Sequence, residues 1–272
     1  MNTFRTDTTF AGRIPELYDR LLVPMIFASY ASDIATRVAA RNPSRVLETA
    51  AGTGVVTRAM SRMLPSHVEI VATDLNQAML DRAAANDAGR PINWQQANAL
   101  QLPFDDASFD IVVCQFGAMF FPDKAAAFAE ARRVLRSGGA LLFNVWDRIE
   151  ENEFAHTITE ALRRLFPVDP PLFMERTPHG YFDAQVISHD LASAGFDATP
   201  SIATVTARSR AATAHLVAVA YCQGTPLRNE IESRPFVTLD DATDASATAI
   251  EARFGTGLVD GKIQAHVIAV AR

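Results

Sequence analysis

Cysteine is scarce: Cys114 and Cys222 are the only two in 272 residues, and no CxxC pair exists. One disulfide is arithmetically allowed, yet Cys114 lies inside the apolar run FDIVVCQF, where a buried free thiol is expected, and zinc has no cysteine framework. The six histidines are scattered without a carboxylate–histidine spacing that resembles a ligand set, so no metal is expected. Long apolar runs are missing too. The nearest, LLVPMIFASYA, falls short of the roughly 18 residues a span needs and is interrupted by Pro24, so no membrane partner is expected. MNTFRTDTTFAGR has no apolar leader segment, which predicts a cytoplasmic chain. Positive charge is in deficit, with 25 Lys and Arg against 31 Asp and Glu and a formal net charge of −6. That balance lacks the electrostatic footprint of a general nucleic-acid binder.

What is present is a core. Hydrophobic residues make up 49% and charged residues 21%, and 272 residues suit one large α/β domain. Residues 15–40 read as helix, broken or restarted near Pro24 and stopped by Asn42-Pro43. From Arg45 the chain alternates. RVLETA, VEIVATD, INWQQANA, FDIVVCQF and ALLFNVWD read as five strands. GVVTRAMSRML, NQAMLDRAAAN and residues 124–136 read as helices between them, the last ended by Gly138-Gly139. FDIVVCQF hardly alternates, as expected of a strand covered on both faces. After Asp147 the rhythm breaks into a helix over residues 150–166 and a proline-rich aromatic stretch, PVDPPLFMERTPHGYFD, which reads as an insertion over the carboxyl ends of the strands. SHDLASAGF reads as helix and SIATVTARS as a sixth strand; two helical stretches and a last strand, KIQAHVIAVA, follow. Repeated β-α-β units predict a doubly wound, mostly parallel sheet with helices on both faces and a ligand crevice at the carboxyl ends of its strands.

The residues that carry chemistry lie in VLETAAGTGVVTRAM, residues 46–60. A strand runs into a glycine turn and then a helix. Gly52 and Gly54 let the backbone turn sharply and approach a ligand, and the helix start offers unpaired N–H groups and a positive dipole end. Asp74 ends the second strand, where an acid can accept both ribose hydroxyls. Read singly, the glycines are an ordinary tight turn and Asp74 an N-cap of the next helix. Together they point to a nucleotide-bearing cofactor. The dinucleotide fingerprint G-x-G-x-x-G lacks its third glycine, because Val55, Val56 and Thr57 follow Gly54.

Ala50-x-Gly52-x-Gly54 resembles instead the G-x-G-x-G motif of class I S-adenosylmethionine (SAM)-dependent methyltransferases. ATDLNQAML is similar to that family's second-strand motif, ANALQLPFDDASFD to its run between the third and fourth strands, and EARRVLRSGG to its segment before the fifth strand. The likeness is nearest the small-molecule branch described as ubiquinone-biosynthesis-like, or methyltransferase type 11. It implies a Rossmann-like fold of seven strands, mostly parallel with an antiparallel last strand, and a small insertion after the fifth. In one domain, residues 1–44 would be an N-terminal helical segment, 45–149 the SAM-binding core, 150–184 the substrate-side insertion and 185–272 the rest of the fold. The resemblance implies that Asp74 binds the ribose, Leu75 packs on the adenine and Met79 lines the same pocket. It places Asn98, Ala99 and Leu100 at the adenine, and Gln115 and Phe116 beside the sulfonium. Glu48 would orient the methionine end; read alone, it is a strand-end carboxylate capping the turn. Tyr18 resembles an N-terminal tyrosine that reaches over the cofactor, and reads equally as a packed helix residue. Two departures stand out. Ala50 replaces the first glycine, which is tolerable at negative φ, so adjusted geometry with binding retained is expected. Asn98 replaces an aspartate, and its side-chain oxygen can still accept from the adenine amino group.

The expected reaction is methyl transfer to a small molecule, with S-adenosylhomocysteine (SAH) as the other product. Met119, Phe120 and Phe121 after the fourth strand, Trp146 and Asp147 ending the fifth, and Phe173, Arg176, His179 and Tyr181 in the insertion form an expected substrate side. Its aromatic character points to a flat or apolar acceptor; taken singly, these aromatics equally read as core. His179 and Asp147 are the candidate bases. Nucleic-acid methylation is disfavoured, since CQFG stands where amino-directed DNA enzymes of this fold carry Asn/Asp-Pro-Pro-aromatic, and neither cysteine follows a proline. The competing readings are an NAD(P)-dependent oxidoreductase and a non-catalytic SAM-binding protein of the same fold.

Overall fold

The computed structural model describes Asp7, Thr8, Phe10 and residues 12–272. The leader expectation rests largely on residues 1–6, 9 and 11, which lie outside the described residues. The elements are helix α1 (Ile14–Ala39), β1 (Arg45–Glu48), α2 (Val55–Met63), β2 (Glu69–Asp74), α3 (Gln77–Ala85), β3 (Asn93–Gln96), β4 (Phe109–Gln115), α4 (Lys124–Val134) and β5 (Leu135–Trp146). They continue as α5 (Glu153–Leu165), α6 (Phe173–Arg176), α7 (Ala184–Ser193), β6 (Ser201–Ala211), α8 (Ala214–Gln223), α9 (Leu227–Glu232), α10 (Leu239–Phe254) and β7 (Val259–Ala271).

The strands form one seven-stranded sheet of order β3-β2-β1-β4-β5-β7-β6. β1 pairs in parallel with β2 and β4, β2 with β3, and β4 with β5. The last strand runs the other way. Arg272 N–H donates to Gly139 O near the start of β5, while Asp147 N–H, just past its end, donates to Gln264 O. Position climbs on β5 as it falls on β7, so β7 is antiparallel. This is the mostly parallel α/β sheet with a reversed last strand that the sequence leads one to expect.

Contacts divide the chain into two compact units. One gathers the described residues up to Phe27 with Trp146–Gly180 and Thr206–Gln264; the other gathers Ala28–Val145, Tyr181–Val205 and Ala265–Arg272. In the second unit β4 is buried at every residue, which is why its sequence does not alternate. Ile34 and Val38 of α1 and Val56 and Met60 of α2 pack with Val46 of β1 and Ile111 of β4. Each such side chain contributes about 1.5–3 kcal/mol by leaving water. In the first unit α10 starts at a capping box in which Thr238 and Asp241 satisfy each other's N–H groups.

Two expectations need correction. Residues Tyr18–Phe27 of α1 are π-helical and hold Pro24. A π turn widens the helix, so the missing N–H and the ring are absorbed without a break. α1 is thus one helix of 26 residues, with an 18-residue window of mean hydropathy 1.2, half of it buried. By length and composition alone it is apolar enough to cross a membrane. Gly138-Gly139 does not end α4 either; that helix stops at Val134, and both glycines lie inside β5, Gly138 at φ +77°.

The segments LPFDDAS and EARRVL prove to be one mechanical unit. Glu130 accepts the Leu102 N–H at 2.7 Å. Arg133 donates to Leu102 O at 2.9 Å, Phe104 O at 2.8 Å and Asp106 at 2.7 Å, and to Glu130 at 2.7 Å. Its guanidinium is correspondingly held more strongly charged than usual by those carboxylates. The fork geometry matters, because a lysine cannot donate in two planar directions at once. Arg133→Ala is expected to lower unfolding free energy by about 2–3 kcal/mol, and Arg133→Lys to recover less than half of it, as read from urea denaturation midpoints.

Candidate functional site

β1 leads into a turn whose backbone is bonded to both neighbouring strands. Thr49 N–H donates to Val113 O of β4 and Ala51 N–H to Thr73 O of β2, each at 2.9 Å. Three residues of the turn are left-handed: Ala50 at φ +52°, Gly52 at +56° and Gly54 at +80°. For Gly54 there is no alternative, since a Cβ would also stand 2.7 Å from the Trp94 ring. At Ala50 the expectation of negative φ is overturned. The residue keeps the left-handed conformation that suits glycine, at a cost of about 1–2 kcal/mol. The tertiary bonds on either side hold it there. Its methyl group faces Gly117, where a Cβ would lie 2.5 Å from the Ala50 Cβ and 2.8 Å from the Cys114 Sγ.

Two buried carboxylates flank this turn. Asp74 accepts the Gly52 N–H on one oxygen and the Asn76 N–H on the other, both at 2.8 Å. The Asn76 side chain and the Leu75 N–H also bond to this carboxylate, so it is held by its own strand end and by the turn. Burial pushes the Asp74 carboxyl up from its ordinary range, against the pull of the backbone N–H groups. Glu48 at the end of β1 is 1% exposed and accepts the Thr57 hydroxyl at 2.5 Å. Burial raises it to about 8, with the Thr57 hydrogen bond and the Arg58 charge opposing the rise. The Thr53 hydroxyl, in the turn itself, is buried and without a hydrogen-bond partner.

The other cofactor candidates lie in the same unit. Leu75 is 53% exposed, unusual for a leucine, beside Asp74. Met79 is buried, its methyl 3.7 Å from where a Gly52 Cβ would be, so it roofs the turn. The Asn98 side-chain oxygen already accepts the Leu100 N–H at 3.0 Å, so the first task of this side chain is to hold its own loop. Ala99 lines a small void with Leu102, Cys114 and Phe128. Gln115 is buried at the end of β4. Phe116 follows it at φ +51°, its ring edge-on to Tyr30 at 5.3 Å. Met119 is buried in a short 3-10 turn, Ala118–Phe120; Phe120 and Phe121 are half-buried. Both cysteines are free and buried, with burial raising Cys114 to about 12 and Cys222 to about 11. Among the described residues no group of three His, Cys, Asp or Glu converges as a metal site would.

The remaining candidates, except Tyr181, belong to the other unit. Tyr18 stacks on Phe27 at 4.9 Å and meets Phe10 edge-on at 6.0 Å. Trp146 lies 6.0 Å from Phe27 and 6.1 Å from His179. The Asp147 carboxylate accepts the Arg148 N–H at 2.7 Å and the Gln264 amide at 2.6 Å. His179 is not a surface loop residue. It is buried, with Nδ1 2.8 Å from the Asp147 carbonyl. A carbonyl only accepts, so the proton sits on Nδ1 and Nε2 is left as the acceptor. Burial lowers His179 to about 4, so the ring is neutral at pH 7. Phe173 is 1% exposed and part of the core. Arg176, expected to face a substrate, is held by Asp7 at 2.7 Å and Glu230 at 2.5 Å; two anions already neutralise it. Tyr181, in the cofactor-candidate unit, donates its hydroxyl to Asp190 at 2.7 Å and carries the Lys124 ammonium over its ring at 4.8 Å. Its occupation is to fasten α7, and burial with Asp190 keeps the phenol protonated.

Sequence reasoning missed Thr57, Gly117, Asn144 and Gln264. Asn144 had a signal, being the one polar residue in the buried run LLFNVW. Thr57 had a weaker one, nine positions after Glu48 on the first turn of the helix. Gly117 and Gln264 had none, because Ala50 and Asp147, which they meet, are distant in sequence.

Residues 47–143 match the family model of a methyltransferase domain. A demethylmenaquinone methyltransferase of Deinococcus radiodurans is 36% identical over 137 residues, covering 49% of this chain and 56% of that protein. The ubiquinone/menaquinone biosynthesis C-methyltransferase UbiE of Proteus mirabilis is 41% identical over 130 residues, covering 46% and 49%. The chain spans about half the length of these curated relatives. A solved SAM-dependent methyltransferase of Thermotoga maritima aligns over 100% of both chains at TM-score 0.55 and 15% identity. The YcgJ protein of Bacillus subtilis covers 90% of this chain and 98% of its own at TM-score 0.55 and 18% identity. At these identities the likeness is one of fold.

The Ala50–Gly117 contact yields a double-mutant test. Gly117→Ala should destabilise by about 2 kcal/mol through overpacking, and Ala50→Gly should leave stability unchanged or raise it by up to about 1 kcal/mol. In the double variant the Gly117→Ala penalty should shrink but not vanish, because the Cys114 sulfur still crowds the new methyl group. Urea unfolding of the four proteins measures the coupling.

Proposed function

We propose, on the premise that residues 47–143 form a class I methyltransferase domain, that the chain binds SAM and transfers its methyl group to a small apolar or aromatic molecule. The observation that carries the reading is the left-handed turn at Gly52 and Gly54 held by buried Asp74. The residues present fit the cofactor. Asp74, a strand-end acceptor beside the turn, would take ribose hydroxyls, exposed Leu75 offers an apolar surface to adenine, and buried Glu48 would gain from an ammonium partner. The orphan Thr53 hydroxyl lacks a bonding partner that the chain does not supply. When bound, SAM supplies a methyl group made electrophilic by its sulfonium.

The chain's own residues then have to bind, orient and exclude water. In this reading Met79 and the strained backbone at Ala50 and Phe116 shape the cofactor half. His179, neutral and weakly basic, accepts a hydrogen bond through Nε2 in preference to carrying a proton away, since a base near 4 has little drive to do so at pH 7. Asp147 holds that ring in place through its carbonyl. Two relatives are named for methylation in menaquinone or ubiquinone biosynthesis, so a quinone-type aromatic ring is the first acceptor class to assay. The acidic net charge and the CQFG sequence at the end of β4 favour such a molecule over nucleic acid.

Calorimetric titration of SAM, SAH and NADH tests the cofactor. SAM and SAH should bind, NADH should not, and Asp74→Ala should weaken both by at least about tenfold, the loss of a charge-assisted hydrogen-bond pair. NADH binding without SAM would replace this reading with the oxidoreductase one. SAM binding without turnover on a panel of quinone, phenol and amine acceptors would favour the non-catalytic reading.

A pH dependence follows from Glu48. Below about 8 its carboxyl is neutral in the ligand-free protein. An ammonium partner favours the ionised form, so binding must release a proton, and affinity must climb as pH rises towards that value. SAH affinity should increase several-fold between about pH 6 and 7.5, at most tenfold per unit. The slope should be absent for adenosine and lost in Glu48→Gln; an equal slope for adenosine would contradict the assignment of Glu48 to the amino-acid end.

A further inference from the structure

β5 inserts one amide into an apolar stretch, LLFNVW. Asn144 is 0% exposed. A valine or isoleucine would pack at this strand position without any polar demand, whereas a buried amide must find partners or destabilise the fold. Asn144 finds them at the end of β4. Its Oδ1 accepts the Phe116 N–H at 2.9 Å, and its backbone carbonyl shares the same N–H at 3.1 Å. Its Nδ2 donates to Gln115 Oε1 at 3.4 Å.

The direction of each bond is forced. A backbone N–H only donates, so the Asn144 oxygen must face Phe116 and its NH2 must face Gln115. That in turn turns the Gln115 oxygen toward β5 and its NH2 away from it. One side chain thus sets the orientation of the Gln115 amide and doubles the hold on Phe116, whose left-handed φ of +51° costs energy unless surrounding bonds fix it. The next residue, Gly117, lies against Ala50 of the cofactor turn.

We propose that Asn144 is a positioning residue that acts through Gln115 and Phe116 to set how the protein distinguishes the methylated from the demethylated cofactor. The inference rests on the SAM reading above. In the order β3-β2-β1-β4 the end of β4 lies on the side of the β1 turn away from Asp74, the acceptor read for the ribose, so a residue that orients it acts on the end of the cofactor where SAM and SAH differ and leaves the adenosine end alone.

The test is calorimetry at pH 7 with SAM, SAH and adenosine on the wild type, Asn144→Ala, Asn144→Asp, Gln115→Ala and the Asn144→Ala/Gln115→Ala double variant, each checked for folding by circular dichroism. The ratio of SAM to SAH affinity should shift by at least about fivefold in Asn144→Ala, the worth of one buried hydrogen bond, with adenosine affinity within about twofold of wild type. Gln115→Ala should shift the ratio in the same direction, and the double variant should add nothing to the larger single effect. Asn144→Asp keeps the acceptor for Phe116 but loses the donor to Gln115, so its ratio should shift too. Should Asn144→Ala not fold, Gln115→Ala alone must still move the ratio. An unchanged ratio in the folded variants overturns the inference, as does parallel weakening of all three ligands, which a merely structural role would give. If the wild type binds neither SAM nor SAH, the cofactor reading itself falls and this inference with it.

Discussion

The site depends on one strained piece of backbone, the left-handed residue Ala50 closing the end of β1. Its φ of +52° would relax in isolation. It persists because hydrogen bonds from Thr49 to β4 and from Ala51 to β2 fix the peptide on either side. Gly117 leaves just enough room for the Ala50 methyl group, and Phe116, the residue before it, is itself left-handed. Two unfavourable backbone conformations on adjacent strand ends therefore face each other across a contact that admits no additional atom. Strain held this way limits where the turn can lie, because close-packed groups leave little room for displacement.

The ends of the neighbouring strands are secured by different means. Asp74 ties β2 to the turn through the Gly52 N–H. Glu130 and Arg133 clamp the segment between β3 and β4 with charge-assisted bonds, so residues 102–106 cannot swing away from α4. Asn144 ties the end of β4 to β5. Each device joins a loop to a rigid element, which positions side chains more accurately than a loop alone would.

Much of this was legible in the sequence, and the reasons differ by residue. Alternating strands and helices gave the sheet because burial on two faces writes itself as apolar runs such as FDIVVCQF. Gly52, Gly54 and Asp74 were legible because glycine freedom and a strand-end acid are local requirements. EARRVL and LPFDDASFD were recognisable as motifs, but their shared purpose was not, since Arg133 reaches backbone carbonyls that any sequence supplies. Ala50 misled because its φ is set by tertiary bonds and not by its own preference. Pro24 misled because a π turn leaves no compositional mark. That Arg176 bonds Asp7 and Glu230 and Tyr181 bonds Asp190 was not legible, because aromatic and cationic residues in an insertion serve fastening and recognition equally well and their partners are set by tertiary position.

The candidate cofactor half is also incomplete on its own terms. Glu48 and Asp74 are both buried and both pushed toward their neutral forms, so the protein holds two acids whose charge it does not favour. The Thr53 hydroxyl is buried and unbonded, and Leu75 stands half in water. On the proposed reading, three of these features are met by different parts of one molecule: hydroxyl donors for Asp74, a cation for Glu48, an apolar ring for Leu75. No single apolar or ionic ligand answers all three, whereas a nucleoside joined to an amino acid does. A site whose deficits are so distributed gains stability when it fills, by RT ln(1 + [L]/Kd). On that reading the deficits that lower the stability of the ligand-free chain also select the ligand.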